Sequence, residues 1–198
     1  MGSTVIIKYN AGNVFSVECA LRRVGVEAVV TDDVERICRA RRVIFPGVGE
    51  ASSAMAYLRE HELDSVIKSL RCPVLGICIG MQLLCRHSQE GDTDCLGIFD
   101  VPVKRFDNTA APSLKIPQMG WNTVSIPDGS FLPRECDGRY VYYVHSYYAP
   151  ICADTAAVTD YIQPYSAALH KDNFYATQFH PEKSGSVGEI VLKKFLEL

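Results

Sequence analysis

The chain has 198 residues, 47% of them hydrophobic, and a formal net charge of −3 from 20 basic and 23 acidic side chains. That length suits one α/β domain with a sizeable core and is short for two, so residues 1–198 are expected to form a single domain. Nucleic acid and membrane are excluded as partners: only Arg36, Arg39, Arg41 and Arg42 cluster, as the solvated end of a helix before a strand, and no apolar run approaches the ~20 residues of a membrane helix.

Val5-Ile6-Ile7-Lys8-Tyr9 reads as a buried first strand, ended by the turn Asn10-Ala11-Gly12-Asn13. Val17, Ala20, Leu21 and Val24 then keep helical spacing. Ala28-Val29-Val30 is a second strand, and Arg42-Val43-Ile44-Phe45 a third, stopped by Pro46-Gly47-Val48-Gly49. Two helical stretches follow, carried by Ala51, Met55 and Leu58, then by Leu63, Val66, Ile67 and Leu70. Val74-Leu75 is the fourth strand. Alternation of β and α predicts a flavodoxin-like, mostly parallel sheet covered by helices on both faces.

The second half changes character. Segments 96–106, 116–126 and 140–148 read as strands joined by Pro/Gly/Asn turns, which predicts antiparallel additions to the sheet and a smaller β-rich lobe. Phe174-Tyr175-Ala176-Thr177-Gln178-Phe179 is a strand that delivers His180. An amphipathic helix through Val187, Ile190, Val191, Phe195 and Leu198 closes the chain.

The eight cysteines include no C-x-x-C and no histidine at zinc-ligand spacing, so no metal is expected. The opening Met1-Gly2-Ser3-Thr4 has neither the basic nor the apolar segment of a signal peptide, which favours free thiols in the cytoplasm. Most of these thiols, Cys85 included, read as small buried hydrophobes. Cys78 is different. It lies in Gly76-Ile77-Cys78-Ile79-Gly80, after an apolar strand and before the helical Met81-Gln82-Leu83-Leu84-Cys85. This is the layout of a nucleophile elbow, whose tight turn leaves no room for a Cβ at its flanks. A thiol at a helix N-terminus is favoured as the thiolate.

A thiolate needs a base and an orienter. His180-Pro181-Glu182 supplies both at a strand end, with Glu182 placed to hold the far ring nitrogen. A parallel sheet brings strand ends to one edge, which closes the sequence distance to Cys78. The glycines of Pro46-Gly47-Val48-Gly49 let backbone N–H groups approach an oxyanion, with the Ile79 N–H as second donor. Taken alone, those glycines are better read as an ordinary strand–loop–helix turn.

Gly-Ile-Cys-Ile-Gly-Met-Gln at 76–82 with Gln-Phe-His-Pro-Glu-Lys-Ser at 178–184 resembles the class I (triad) glutamine amidotransferases. Pro-Gly-Val-Gly at 46–49, Lys-Ile-Pro-Gln-Met-Gly-Trp-Asn at 115–122, Tyr-Val-His-Ser-Tyr at 143–147 and Tyr-Asn-Ala-Gly-Asn at 9–13 narrow the resemblance to the glutaminase subunits of imidazole glycerol phosphate synthases. Ile79 stands where leucine is common, and Ala11 fills a variable place.

The resemblance implies a thioester mechanism on L-glutamine, with Cys78 as nucleophile, His180 as acid and base, and Glu182 as its orienter. It implies an oxyanion hole at the backbone of Val48 and Ile79, often completed by a peptide flip in the former. Gln82 and the backbone of Ser146 and Tyr147 match positions that hold glutamine. Trp121, Tyr142 and Lys183, with Asn13, match positions near the partner interface and ammonia exit; Trp121 fits a core place as well. No cofactor is implied. The implied partner is a (β/α)₈ cyclase, which receives the ammonia and makes imidazole glycerol phosphate and an aminoimidazole carboxamide ribotide in histidine biosynthesis. The free subunit is expected to be nearly inactive until partner and ligand bind.

Three rivals make different predictions. The glutaminase of pyridoxal phosphate synthase shares the elbow and His-x-Glu, but Pro-Gly-Val-Gly and Met-Gly-Trp-Asn speak against it. A cysteine peptidase or γ-glutamyl hydrolase would act alone. A non-enzymatic binding domain would keep its function in Cys78→Ala. His145 sits in a strand run of tyrosines and reads as structural or interfacial, not as a second base.

Overall fold

Four short strands, all buried except a partly exposed one at the sheet edge, open the chain in a computed structural model that describes residues 3–10 and 13–198. They are β1 (Thr4–Ile7), β2 (Ala28–Thr31), β3 (Arg42–Phe45) and β4 (Val74–Ile77). Between them run helices α1 (Val14–Arg23), α2 (Val34–Cys38), α3 (Ala51–Glu60) and α4 (Leu63–Ser69), and α5 (Ile79–Leu84) follows β4. Of the turn expected at 10–13, Ala11 and Gly12 lie outside the described residues.

The second half adds β5 (Cys85–Ser88), β6 (Thr93–Asp94), β7 (Phe99–Arg105), β8 (Gln118–Thr123), β9 (Tyr140–His145) and β10 (Tyr147–Tyr148). Then come β11 (Thr155–Asp160), β12 (Pro164–Lys171), β13 (Phe174–Thr177) and α6 (Gly185–Leu196). The main sheet has seven strands in the order β11-β12-β13-β4-β3-β1-β2. Its run β13-β4-β3-β1-β2 is parallel, while β11 and β12 are added antiparallel. A four-stranded sheet, β10-β7-β5-β6, and the hairpin β8-β9 form the smaller β-rich part.

Side chains of a strand alternate between faces, and two cores result. Val5, Ile7, Val43 and Phe45 pack with Ile37, Met55, Leu58 and Ile67 of α2, α3 and α4. Ile6, Ile44, Leu75 and Ile77 pack with Val17 and Leu21 of α1 and Leu192 and Phe195 of α6. Each such side chain contributes about 1.5–3 kcal/mol when fully buried. That is the physical content of a doubly covered parallel sheet.

Three sequence expectations shift. Leu198 is 42% exposed, because α6 ends at Leu196 and the chain leaves the helix before Leu198 could turn inward. Arg42 is buried at the start of β3 rather than solvated, its guanidinium pKa lowered by burial and by the neighbouring Arg41. Only Cys78, Cys85 and Cys136 are buried; Cys38 is exposed and the other four are half-buried, all eight being free.

Candidate active site

The C-terminal ends of β3, β4 and β13 are neighbours in the sheet, and they bring Val48, Cys78 and His180 to one edge. Cys78 leaves β4 with φ 54° and ψ −109°, a conformation open to few L-residues. Its amide donates to Thr177 O at 2.8 Å, and its carbonyl accepts from Gln82 N at 3.2 Å, so both sides of the elbow are tied. A Cβ on Gly80 would lie 2.0 Å from Phe45 O, and one on Gly76 would lie 2.8 Å from Leu84 Cδ1. The steric argument for both glycines therefore holds, more severely for Gly80.

His180 follows β13 and is fully buried. Its Nδ1 is 2.7 Å from Glu182 Oε1, which leaves Nε2 without a hydrogen-bond partner on the side of Cys78. Burial alone would depress the imidazole pKa. The negative charges of Cys78 and Glu182 outweigh it and raise the pKa to about 10. Main-chain bonds hold the ring: His180 N donates to Tyr142 O, and Ser184 Oγ donates to His180 O at 2.6 Å. Asn13 Nδ2 donates to Glu182 Oε1 at 2.5 Å, placing Asn13 against the acid of this pair.

A pocket of about 290 Å³ opens over Cys78, walled by Val48, Ile79, Gln82, Val144, Ser146 and Tyr147 among others. Gln82 Nε2 donates to Tyr147 O at 2.8 Å and to Gln178 Oε1 at 2.9 Å, and Gln178 Nε2 lies 3.8 Å from Cys78 Sγ. Ser146 O accepts from Phe106 N. His145 Nδ1 donates to Tyr147 O at 2.7 Å, and its Nε2 is 3.2 Å from Tyr165 Oη. Burial, with help from His180 and against the Tyr147 hydrogen bond, pushes its pKa down to about 4. His145 is thus a neutral, bonded part of the pocket wall.

Glu90 also lines the pocket, and nothing in the sequence singles it out. It arrives from the turn between β5 and β6, and its Oε2 accepts from Ala51 N at the start of α3. Burial raises its pKa, the Ala51 bond opposes this, and Glu50 adds to it. An isolated acid after a polar run gives no local signal of such a place.

Beyond the pocket, Trp121 and Tyr142 face each other across the β8–β9 hairpin in an edge-on pair at 5.9 Å. Lys183 Nζ sits 5.9 Å from the Tyr142 ring. Trp121 is 55% exposed, which decides between its two sequence readings against the core. Among the described residues, no group of three or more His, Cys, Asp or Glu side chains is arranged to hold a metal ion, and no helix is long and apolar enough to cross a membrane.

Residues 5–198 match the family model described as glutamine amidotransferase class-I. A curated relative from Bacteroides fragilis, imidazole glycerol phosphate synthase subunit HisH, is 60% identical over 193 residues, covering 98% of each chain. The protein of that name from Yersinia pseudotuberculosis is 45% identical over 196 residues, again covering 98% of each. Among solved structures, one described as a glutamine amidotransferase aligns with a TM-score of 0.75 at 18% identity, over 99% of this chain and 98% of that one. PurLQS from Thermotoga maritima aligns with a TM-score of 0.70 at 15% identity, over 100% and 99%. At such identity the structures speak for the fold alone, whereas the family match and the 60% identical relative show membership: the chain belongs to the class I glutamine amidotransferases.

Proposed function

We propose that the chain is the glutaminase subunit of an imidazole glycerol phosphate synthase of histidine biosynthesis, and that the pocket over Cys78 takes L-glutamine. The observation that carries this reading is the buried His180–Glu182 pair at 2.7 Å, with Nε2 left free beside a cysteine on a strained elbow.

The Cys78 thiolate attacks the side-chain amide carbon of glutamine, and the carbonyl electron pair moves onto oxygen. Backbone N–H groups of Val48 and Ile79 stabilise that oxyanion. His180, kept protonated by its neighbours, gives its proton to the amide nitrogen as the C–N bond breaks and ammonia leaves. Water then attacks the glutamyl thioester, His180 takes its proton, and glutamate departs as the thiolate is restored. Glu182 fixes the ring so that Nε2 does this work.

Gln82, Ser146 and Tyr147 hold the backbone end of glutamine. Glu90, a half-buried carboxylate lining the pocket, complements the α-ammonium group. The chain acts in the cytoplasm and needs no cofactor of its own. Ammonia passes to a (β/α)₈ cyclase docked on the face that carries Asn13, Trp121, Tyr142 and Lys183. Free ammonia would be protonated and lost in water, so a docked acceptor is the productive arrangement.

The test is glutamate release by the purified chain, with and without the cyclase and its ribonucleotide ligand, with Cys78→Ala as blank. Strong stimulation by partner plus ligand, absent from the blank, is expected. Full activity of the chain alone would overturn the subunit reading in favour of a stand-alone amidase.

A further inference from the structure

We infer that Tyr9 is a positioning residue: its buried phenol pins the Pro46–Gly47 peptide, so that the Val48 N–H turns towards the oxyanion about a fixed pivot. This rests on the glutaminase reading above.

Tyr9 follows β1 and is 6% exposed, tilted against Phe45 at a centroid distance of 5.2 Å. Its Oη donates to Pro46 O at 2.5 Å, the short end of the hydroxyl range. A Cβ on Gly47 would stand 2.4 Å from that oxygen and 2.0 Å from Ile79 Cγ2. Gly47 is therefore gripped between the phenol on one side and the first residue of the elbow helix on the other. Ile79 also carries the second oxyanion donor, so the grip registers the two donors against each other.

The geometry restricts what can move. In a trans peptide the C=O and N–H point to opposite sides, so a carbonyl held on Tyr9 also fixes the Gly47 N–H. Only ψ of Gly47 and φ of Val48 remain to swing the Val48 N–H, and the first of these lies in the one residue type that rotates cheaply. Burial, with the charge of Cys78, keeps the phenol protonated, so Tyr9 donates throughout the working pH range. It has no proton to give to chemistry. Tyr9→Phe removes the hydroxyl and leaves the ring packing in place.

Glutamate release by the chain with its cyclase and ribonucleotide ligand is compared for wild type and Tyr9→Phe, alongside iodoacetamide alkylation of Cys78. The expected result is a kcat lower by ~10-fold, a KM for glutamine within about twofold, and an unchanged alkylation rate. The kcat ratio of the two proteins is expected to stay constant from about pH 7 to about pH 9. A kcat within about twofold of wild type overturns the proposal. So does a matching fall in alkylation, which would mean that the elbow and not the peptide had moved. A ratio that varies with pH overturns it as well, in favour of proton transfer. A wild-type complex that releases no glutamate overturns the glutaminase reading itself, and this proposal falls with it.

Discussion

At the ends of β4 and β13 the side chains proposed for catalysis are buried and tied to neighbours. Cys78 is held by main-chain bonds on both sides, His180 is 0% exposed, and Glu182 bonds both His180 and Asn13. Along the outer face of the β8–β9 hairpin, a few residues away, Met119, Trp121 and Tyr140 stand 66%, 55% and 60% exposed. The first region accepts strain and desolvation that the free chain gains nothing from, which is the mark of prepared chemistry. The second leaves apolar surface in water, the face proposed above to dock the cyclase. Val144 joins them: it pairs with Met119 on that outer face, and its carbonyl lies 3.9 Å from Cys78 Sγ.

The largest expected effect breaks the first region outright. Cys78→Ala and Cys78→Gly both lose glutaminase activity by more than about 10³-fold, since the nucleophile is gone. They part company on stability. At φ 54° alanine keeps the strain and glycine does not, so Cys78→Gly is expected to be about 1 kcal/mol more stable than Cys78→Ala, a Tm higher by roughly 2–4 °C. Equal melting temperatures would show that the elbow carries no strain at this residue.

Glu182→Gln sharpens the electrostatic part of the same region. Removing its charge lowers the pH at which His180 loses its proton, observable in the imidazole NMR signal, and lowers kcat by about 10²-fold. The sign for stability follows from a folded pKa near 10 against an ordinary 6.5. The contribution is fully present below about pH 6.5 and lost as pH rises through the folded value. The stability gap between wild type and Glu182→Gln should thus be widest near pH 6.5 and narrow towards pH 10. A gap that widens with pH would refute the assignment of charge.

The second region is broken by Trp121→Ala. A half-exposed indole supports little of the fold, so Tm should move by less than about 1 °C, while affinity for the cyclase falls ~30-fold, as for an aromatic anchor. Unchanged affinity in titration calorimetry would remove the hairpin face from the interface.

The two regions are not equally legible in the sequence. Gly76, Cys78 and Gly80 announce the elbow because one local turn needs them all, and His180 with Glu182 stands two residues apart on one strand end. Tyr9, Gln178 and Glu90 act across the fold: the phenol reaches Pro46, Gln178 bridges Gln82 towards Cys78, and Glu90 comes in on the β5–β6 turn. No spacing along the chain encodes such contacts. The end of α5 is hidden for a related reason. Met81 to Cys85 has helical composition, yet Leu83, Leu84 and Cys85 give their carbonyls to Leu96, Ile98 and Gly97, and the chain turns into β5. Antiparallel additions to the sheet are legible in kind but not in place, because period-two patterning in Thr155–Asp160 is blurred by bulges against β12.

The smallest effect tests whether burial, rather than the presence of charge, separates the working edge from the rest of the surface. Glu35 on α2 and Arg39 just past its end form an ion pair at 2.6 Å, as close as the one between His180 and Glu182. Their side chains are 70% and 78% exposed, against 0% for both members of the proposed catalytic pair. In water the Coulomb energy is screened and the ordering of two long side chains opposes it, so Glu35→Gln should cost less than about 0.5 kcal/mol and leave glutamate release unchanged. High salt should erase even that difference, while leaving the effect of Glu182→Gln intact, since a pair sealed from solvent is out of reach of counterions. A Glu35→Gln penalty as large as that of Glu182→Gln would mean that proximity alone sets the strength of such pairs here, and the contrast between the two surfaces would have to be drawn on packing instead.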